Sequence, residues 1–298
     1  MATAQESRVI ELFGNSTRMD HDWLQVVRRQ WCPFANTRCF KVRKSNPAVS
    51  IGTCSVCYGK DRRNIIICPN RLLERRQVFT DCLHLLTQHD PGNELHVVPE
   101  VSIPGGSVDY FVASVKKSKV KDFVAVEFQT LDTTGTVWPE RQRLLKTLGL
   151  KVRRRNIESG KPFGMNWKMT AKTILVQLHH KVDTLEHIGK HFVLVLQDCL
   201  LAYLHAQFNF GHLKDVRIGD VMHIHSYKLE DTDSSDLKIH LDSRLSTDAA
   251  GVAKCLGIQA NTRIELDAII SELERKISAK TMLTIDAPIA SAGEMPSD

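Results

Sequence analysis

The hydrophobic positions of the chain separate strand-like segments from helix-like ones. Alternating or near-continuous apolar positions predict β-strands, whereas apolar positions three or four residues apart predict amphipathic helices. We expect strands at residues 94–104, 107–117, 121–132, 191–197, 221–231 and 237–246, and short extended pieces in a loop-rich segment, 31–70. We expect helices at residues 6–30, 71–86, 137–148, 167–188 and 262–278, and another directly after the strand at 191–197. This mixture predicts an α/β or α+β fold.

Composition narrows the class of protein. The chain has 298 residues, 42% hydrophobic and 25% charged, which is typical of one large globular domain or of one domain with a small module. No apolar run approaches the roughly 18–20 residues that span a bilayer. The first residues, MATAQESRVIELFG, lack the basic and then apolar pattern of a signal peptide. We therefore expect no membrane partner, a bacterial cytoplasmic location and, at residues 286–298, a disordered tail.

The formal net charge is +6, and the clustering of arginines along the sequence says more about possible ligands than the total charge does. A guanidinium fork binds two phosphate oxygens at once, so such clusters suit nucleic acid, although a solvated helix face explains many of them equally well. The clusters are Arg28 with Arg29, Arg62 with Arg63, Arg71 with Arg75 and Arg76, Arg141 with Arg143, and the run KVRRR at 151–155.

Five of the eight cysteines fall in one short segment. They are Cys32, Cys39, Cys54, Cys57 and Cys68, with intervals of 6, 14, 2 and 10 residues between neighbours. Four thiolates suit structural zinc or a single iron, and a loop-rich segment of this size needs such a metal to fold. Five cysteines compete for four positions, and buried cysteines without a metal are the alternative interpretation.

Carboxylates mark two of the predicted strands. Asp109 lies in SVDYFVASV, Glu127 lies 18 residues later in KDFVAVEFQ, and Gln129 shares the face of Glu127 because strand side chains alternate. Two carboxylates on adjacent strands form a hard-oxygen site for Mg²⁺, which lowers the pKa of a bound water. The spacing matches the core of the PD-(D/E)xK nucleases, with glutamine in the place of the usual lysine. Two unrelated acids at strand edges are the alternative.

Taken together, these motifs resemble those of NotI-type (NotI/EagI-like) restriction endonucleases. The segments that carry the resemblance are ELFGN, WCPF, IGTCSV, IIICPNRLLE, SVDYFVASV, AVEFQTLDTTG and NWKMTAKTILVQLHHKV, in that order. The resemblance implies an α/β fold, a PD-(D/E)xK restriction-endonuclease-like core with a mixed central sheet flanked by helices and an inserted four-cysteine metal module. It implies magnesium-dependent cleavage of double-stranded DNA at a palindromic, GC-rich site by a homodimer, leaving 5′-phosphate ends.

The resemblance also assigns residues. The catalytic set becomes Asp109, Glu127 and Gln129, with Mg²⁺ on the two carboxylates, and the structural metal becomes iron, with zinc as the alternative, on Cys32, Cys39, Cys54 and Cys68. Cys57 departs from the pattern, so it is either a bystander, which we favour, or a replacement for one ligand. We expect a module at residues 1–86, a nuclease core at 87–285 and a cognate DNA methyltransferase in the same system.

Four further residues are weaker candidates for the functional site, and two other functions remain open. Glu100 is a possible additional acid, and Lys168, Gln177 and Lys181 on one predicted helix are candidates for contact with DNA. The alternatives to a restriction enzyme are a metal-ribbon nucleic-acid-binding protein without catalysis and a PD-(D/E)xK repair or defence nuclease without base specificity.

Overall fold

A computed structural model describes residues 7–104, 106–157, 163–233 and 236–256, together with residues 270 and 275. The chain divides into two compact units, Met1–Ile258 and Gln259–Asp298. Both the expected module at 1–86 and most of the expected core at 87–285 belong to the first unit, without a division between them. The helix expected at 262–278, apart from residues 270 and 275, and the tail expected at 286–298 lie outside the described residues.

The first unit contains short strands in its N-terminal third and longer ones after residue 94. The strands are β1 (Val9–Leu12), β2 (Asn15–Ser16), β3 (Trp31–Cys32), β4 (Thr37–Arg38), β5 (Val42–Arg43), β6 (Asn46–Ser50), β7 (Thr53–Tyr58), β8 (Arg63–Ile66), β9 (Glu94–Ile103), β10 (Gly106–Lys116), β11 (Lys119–Gln129), β12 (Thr133–Thr134), β13 (Gly164–Met165), β14 (His191–Gln197), β15 (Lys214–Asp215), β16 (Met222–Asp231) and β17 (Leu237–Thr247). The α-helices are α1 (Trp23–Arg29), α2 (Gln77–Thr80), α3 (Trp138–Thr147), α4 (Trp167–His187), α5 (Asp198–Gln207) and α6 (Ala249–Cys255).

A mixed sheet of seven strands forms the centre of this unit, in the order β15-β17-β16-β14-β11-β10-β9. Strand β14 is parallel to both β11 and β16, and the other pairs are antiparallel. A second sheet, in the order β2-β1-β7-β8, carries the N-terminal part of the chain. The prediction of an α/β protein with a mixed central sheet flanked by helices is confirmed.

The two faces of the central sheet bury different elements. On one face, Phe111 and Ala125 pack in a core that includes residues of α4, α5 and α6. On the other face, Val112 and Val126 pack in a core formed with residues of the segment 69–86. Because strand side chains alternate, Glu127 shares the face of Ala125 and points toward the side that α4 covers.

The helix expected at residues 6–30 is wrong in its first half. Residues Val9–Leu12 form a strand, β1, that pairs with β2 and β7, and only Trp23–Arg29 is helical. All four residues of β1 are buried, so their apolar positions do not distinguish the two periods, which is the known ambiguity of short apolar runs. Phe13 and Gly14, at φ of 50° and 74°, then turn the chain.

The single helix expected at 71–86 is also wrong. The segment forms a 3₁₀ stretch, Pro69–Arg76, then α2 and a second 3₁₀ turn, Leu83–Leu85. Arg75 and Arg76 both have positive φ, at 50° and 55°, which interrupts the helical hydrogen bonding. Among the helices of the described ranges, none combines the length and apolar character needed to cross a membrane.

A buried arginine links the two sheets. Arg71 has 0% exposure, and its Nε lies 2.8 Å from Oε1 of Glu11 on β1. Its Nη1 donates to Glu74 at 2.9 Å, and its Nη2 donates to the Leu237 carbonyl of β17 at 2.7 Å. The guanidinium also lies 4.6 Å from the centre of the Phe34 ring, in the loop between Cys32 and Cys39. Arg71 therefore connects the N-terminal sheet, the cysteine-rich segment and the central sheet.

We expect Arg71→Met to destabilise the protein by about 3–5 kcal/mol, because it leaves the carboxylate of Glu11 buried without its cation. Denaturant unfolding measures this change. The matched control is Arg63→Ala, since the Arg63–Asp61 pair has side chains 57% and 73% exposed, and exposed pairs contribute at most about 1 kcal/mol. Equal effects of the two substitutions would contradict the assigned role.

A column of histidines is buried beside the same sheet. His223 and His225 on β16 both have 0% exposure, and ring contacts link them to each other, to His191 and to His84. Burial lowers the pKa of His223 to about 4, and burial together with nearby Arg244 lowers the pKa of His225 to about 3. Nδ1 of His223 and Nε2 of His225 have no hydrogen-bond partner within the described part of the chain. Both rings are therefore buried in the neutral form.

This column predicts acid instability. An unfolded histidine has a pKa near 6.5, so the unfolded chain takes up protons first, and stability is lost as the pH falls from about 6.5 toward 4. Each of the two histidines then contributes a loss of about 1.4 kcal/mol per pH unit. We expect His225→Gln to flatten the dependence of the unfolding midpoint on pH between 7 and 5. The control is His187→Gln, because the His187 side chain is 78% exposed. If both substitutions change the pH dependence of the unfolding midpoint equally, the buried histidines do not cause it.

Candidate active site and cysteine cluster

Asp109 and Glu127 face each other on adjacent strands. The antiparallel register of β10 and β11 runs to the pair Tyr110 and Val126, and one further step places Asp109 opposite Glu127. The Asp109 Oδ2 accepts a hydrogen bond from the Phe128 N–H at 2.8 Å, and Glu127 Oε2 lies 3.4 Å from the Asp109 N–H. The sequence interval of 18 residues thus corresponds to a direct cross-strand arrangement of the two carboxylates.

Lys181 places a positive charge beside the two carboxylates. Its Nζ donates to Glu127 Oε1 at 2.6 Å, and the residue is only 5% exposed. Helix α4, which carries Lys181, is tied to the turn between β9 and β10 because Thr184 Oγ1 donates to the Pro104 carbonyl at 2.9 Å. An added Cβ on Gly106 would lie 3.5 Å from Cε of Lys181, so the lysine stem passes close to the start of β10.

Burial dominates the electrostatics of both carboxylates. It raises the pKa of Asp109, an effect that the Phe128 N–H and the charge of Lys181 oppose and that the charge of Glu100 reinforces. Burial likewise raises the pKa of Glu127, against the hydrogen bond from Lys181 and together with repulsion from Asp109. Two desolvated carboxylates that repel each other are an arrangement that a bound cation would relieve.

The additional acid, Glu100, lies on the third strand of this group. It stands on β9 between Pro99, which pairs with Tyr110, and Val101, which pairs with Val108. Glu100 is therefore the residue of β9 closest in register to Asp109, consistent with its electrostatic effect on that carboxyl group. Its φ of 50° is unusual for a residue with a side chain and departs from regular strand geometry.

Gln129 shares the side of β11 that carries Glu127, but its amide is turned to its own backbone. Its Nε2 donates to the Thr130 carbonyl at 2.8 Å. The other helix candidates lie elsewhere on α4: Lys168 and Gln177 are both exposed, and Gln177 is one turn from Lys181. Lys168 precedes Lys181 by 13 residues, or about 20 Å along the helix axis.

The chemistry of these donors fits Mg²⁺. Within residues 7–104, 106–157, 163–233 and 236–256, no three histidine, cysteine, aspartate or glutamate side chains are close enough together to hold a metal ion. Mg²⁺ is commonly held by only one or two carboxylates, with water and substrate phosphate as its other ligands. Asp109 and Glu127 are such a pair, and each retains lone pairs that no protein donor uses.

The four cysteines singled out by the resemblance lie in one neighbourhood. All are buried. Burial raises the pKa of the Cys54 thiol, and the charges of Cys68 and Cys32 reinforce the shift. Burial also raises the pKa of Cys68, with Cys39 and Cys32 reinforcing and Lys41 opposing the shift. These mutual effects are consistent with thiols in one region, but among the described residues no three of them are close enough together to hold a metal ion.

The surroundings of these thiols suit negative charge. Lys41 acts on Cys68, and Arg141, which is 2% exposed, is influenced by Cys39. Burial lowers the pKa of Arg141 to about 10, and no carboxylate pairs with it among the described residues. A soft donor set with a buried guanidinium beside it fits a thiolate-bound metal.

Cys57 lies apart from this group. It is three positions after Cys54 on β7, so the two side chains point to opposite faces of the strand. Cys57 packs in the core against Ile66 and Leu72, and it acts electrostatically on Arg18. This position supports the interpretation of Cys57 as a bystander.

Comparison with known proteins does not identify the chain. No family model matches it, and no curated protein matches it.

Sequence reasoning missed the pairing of Lys181 with Glu127. It placed Lys181 only among possible DNA contacts, because the two residues are 54 positions apart and belong to a helix and a strand. The one available signal was the position of Lys181 among the buried, apolar residues of α4, where an unpaired lysine is rare. A buried lysine on an amphipathic helix indicates a nearby carboxylate.

We expect Asp109→Asn to raise the unfolding temperature at pH 7 by about 1–3 °C, because it removes a charge that the folded state disfavours. The asparagine oxygen can still accept the hydrogen bond from the Phe128 N–H. Asp122→Asn on the neighbouring strand should do the opposite. Burial alone would raise the pKa of Asp122, but Lys190 at 2.6 Å and the N–H groups of Gln88 and Phe123 together lower it. Calorimetry of both variants checks the signs, and a loss of stability in Asp109→Asn would contradict the description of the site.

Proposed function

We propose that the chain is a type II restriction endonuclease of the NotI type, with a PD-(D/E)xK core that hydrolyses double-stranded DNA in the presence of Mg²⁺. The observation that carries the proposal is the grouping of Asp109, Glu127 and Lys181 on one face of the central sheet. Two carboxylates and one ammonium are the side-chain types that the motif requires. Here the lysine comes from a helix, whereas the position of the usual motif lysine holds Gln129.

Asp109, Glu127, Lys181 and Gln129 would have different roles in the cleavage of DNA. Asp109 and Glu127 would hold Mg²⁺, which when bound offsets the charge of the phosphodiester and lowers the pKa of a water molecule. Lys181 holds the carboxylate of Glu127 in place, and its remaining N–H donors are available to a phosphate oxygen or to the attacking water. Gln129 cannot accept a proton in the physiological range, so removal of the proton from water would fall to the metal and bulk solvent, with the amide of Gln129 positioning the nucleophile.

The wider system follows from the same proposal. A homodimer would read a palindromic, GC-rich site, because two-fold symmetry in the protein matches two-fold symmetry in the DNA. The cysteine cluster would hold iron, with zinc as the alternative, on Cys32, Cys39, Cys54 and Cys68. A cognate methyltransferase would protect the host DNA. Cytoplasmic location belongs to this proposal as well.

The proposal predicts discrete fragments when purified protein is incubated with plasmid and Mg²⁺. A smear would favour a nuclease without base specificity, and uncut DNA with every divalent metal tested would favour a binding protein. Asp109→Ala should abolish cleavage, and Lys181→Met should slow the single-turnover rate at least about 100-fold. Lys181→Arg, which keeps the charge, should retain more activity than Lys181→Met.

Two controls make the Lys181 result specific. Lys172→Met removes an exposed lysine from the same helix and should cleave normally. DNA binding measured in Ca²⁺ should persist in Lys181→Met, since the loss is expected in the chemical step. If binding in Ca²⁺ disappears together with cleavage, Lys181 contacts DNA as the sequence suggested, and its role at Glu127 is structural.

The metal assignment predicts that Cys54→Ser and Cys68→Ser each lose bound metal, whereas Cys57→Ser keeps it. Elemental analysis of the purified proteins measures metal per chain, and a reddish colour with thiolate-to-iron absorption separates iron from zinc. Because all three cysteines are buried, the Cys57 variant controls for the packing cost of the substitution. Metal lost equally from all three variants would contradict the four-ligand set.

A further inference from the structure

A cleft of about 620 Å³ lies between the cysteine-rich segment and the loop that follows β11. Residues 41–45, around the turn of the β5–β6 hairpin, line one part of it, and residues 131–133 and 135–138 line another. The volume falls within the range of about 300–1,000 Å³ that is common for ligand sites. None of the residues assigned above to cleavage lines this cleft.

The lining is cationic. Lys41, Arg43 and Lys44 contribute three positive charges, and Asp132 contributes the one carboxylate of the lining. Ser45 and Thr133 add hydroxyl groups beside these cations. A cleft lined by one sign of charge concentrates the field and attracts ligands of the opposite charge. The ligand class that this lining favours is an anion with several oxygens, such as a phosphate.

Arg43 is oriented within the cleft without an anionic partner. Its guanidinium carbon lies 4.5 Å from the centre of the Trp138 ring, a cation–π contact that holds the group over the ring. In the parts of the chain that the structure describes, Arg43 forms no ion pair or side-chain hydrogen bond. A stacked guanidinium leaves its N–H edge available for the paired oxygens of a phosphate.

Two buried polar atoms also belong to residues of the lining. Oγ1 of Thr53 and Nε1 of Trp138 have no hydrogen-bond partner among the described residues. The two residues are only 3% and 9% exposed. Buried polar atoms are nearly always hydrogen-bonded, so each of these calls for a partner that the described part of the chain does not provide.

The neighbouring cations have other roles. Nζ of Lys41 donates to the Ile67 carbonyl at 2.6 Å, and Arg141, on the same tryptophan, donates to the Ile51 carbonyl and lies near Cys39. The ligand-binding character of the cleft therefore depends chiefly on Arg43 and Lys44.

The position of the cleft favours DNA as the source of the phosphate. Leu131 lines it and follows Glu127 by four residues, a span of no more than about 14 Å. One strand of B-DNA places about four phosphates along that length of helix axis. We infer that the cleft binds a backbone phosphate of the DNA strand, a few nucleotides from the bond to be cut. This inference rests on the proposed function.

The test measures binding of a fluorescent duplex containing the cleaved site, in Ca²⁺, across a series of salt concentrations. Arg43→Ala should weaken binding about three- to tenfold at moderate salt and reduce the slope of log affinity against log salt by about one. Arg43→Lys should restore part of the affinity. Lys254→Ala removes one exposed charge from α6 and should leave both quantities unchanged. Thermal unfolding confirms that each variant is folded.

The outcomes separate the two proposals. Duplex binding by the wild type that Arg43→Ala and Lys254→Ala alter equally overturns the assignment of the cleft and leaves the proposed function standing. Arg43-dependent binding of inorganic phosphate, with no effect of Arg43→Ala on the duplex, makes the cleft a free-anion site and also overturns it. A wild type that neither binds nor cuts duplex DNA overturns the proposed function, and the cleft assignment with it.

Discussion

The burial of one guanidinium constrains much of this structure. A charge with the 0% exposure of Arg71 is tolerated only when paired and hydrogen-bonded on every side, and its partners come from β1, the 3₁₀ stretch and β17. The Arg71 N–H also donates to the Cys68 carbonyl at 3.0 Å, so the same residue positions one of the candidate metal ligands. The cysteine cluster and the central sheet are consequently parts of one framework, which explains why no division follows residue 86.

The candidate active site lowers the stability of the folded protein. Asp109 and Glu127 are desolvated beside each other, and Lys181 offsets only part of that cost, since the pKa of each carboxyl group is still raised. Glu100 adds a positive φ and a further negative charge on the next strand. Unfavourable features of this kind persist where the surrounding structure is rigid enough to enforce them, and they cluster at functional sites. Their concentration at a single point of the sheet is what favours catalysis over a purely structural role.

Sequence patterns predicted two kinds of element correctly. These are the elements that bury only one face and the elements too long to be read as the other type of secondary structure. Strands β9 to β11, the strand-to-helix passage β14–α5, and helices α3 and α4 follow from periodicity and composition. Periodicity failed where every position is buried, as in Val9–Leu12, and where tertiary hydrogen bonds override helical ones, as around Arg71. The pair Asp109 and Glu127 was predictable because strand alternation is strict. The partnership of Lys181 was not, since no local rule relates a helix residue to a strand 54 positions earlier.

The cleft and the carboxylates share two structural members. Strand β11 ends at Gln129, two residues after Glu127 and two before Leu131 of the cleft. Thr133 of the cleft pairs with Met165, two residues before the helix that carries Lys181 begins. A substitution that shifts the backbone of either segment would therefore alter the cleft and the carboxylates together. The fold of residues 127–133 is therefore a common requirement of the cleft and of the paired carboxylates.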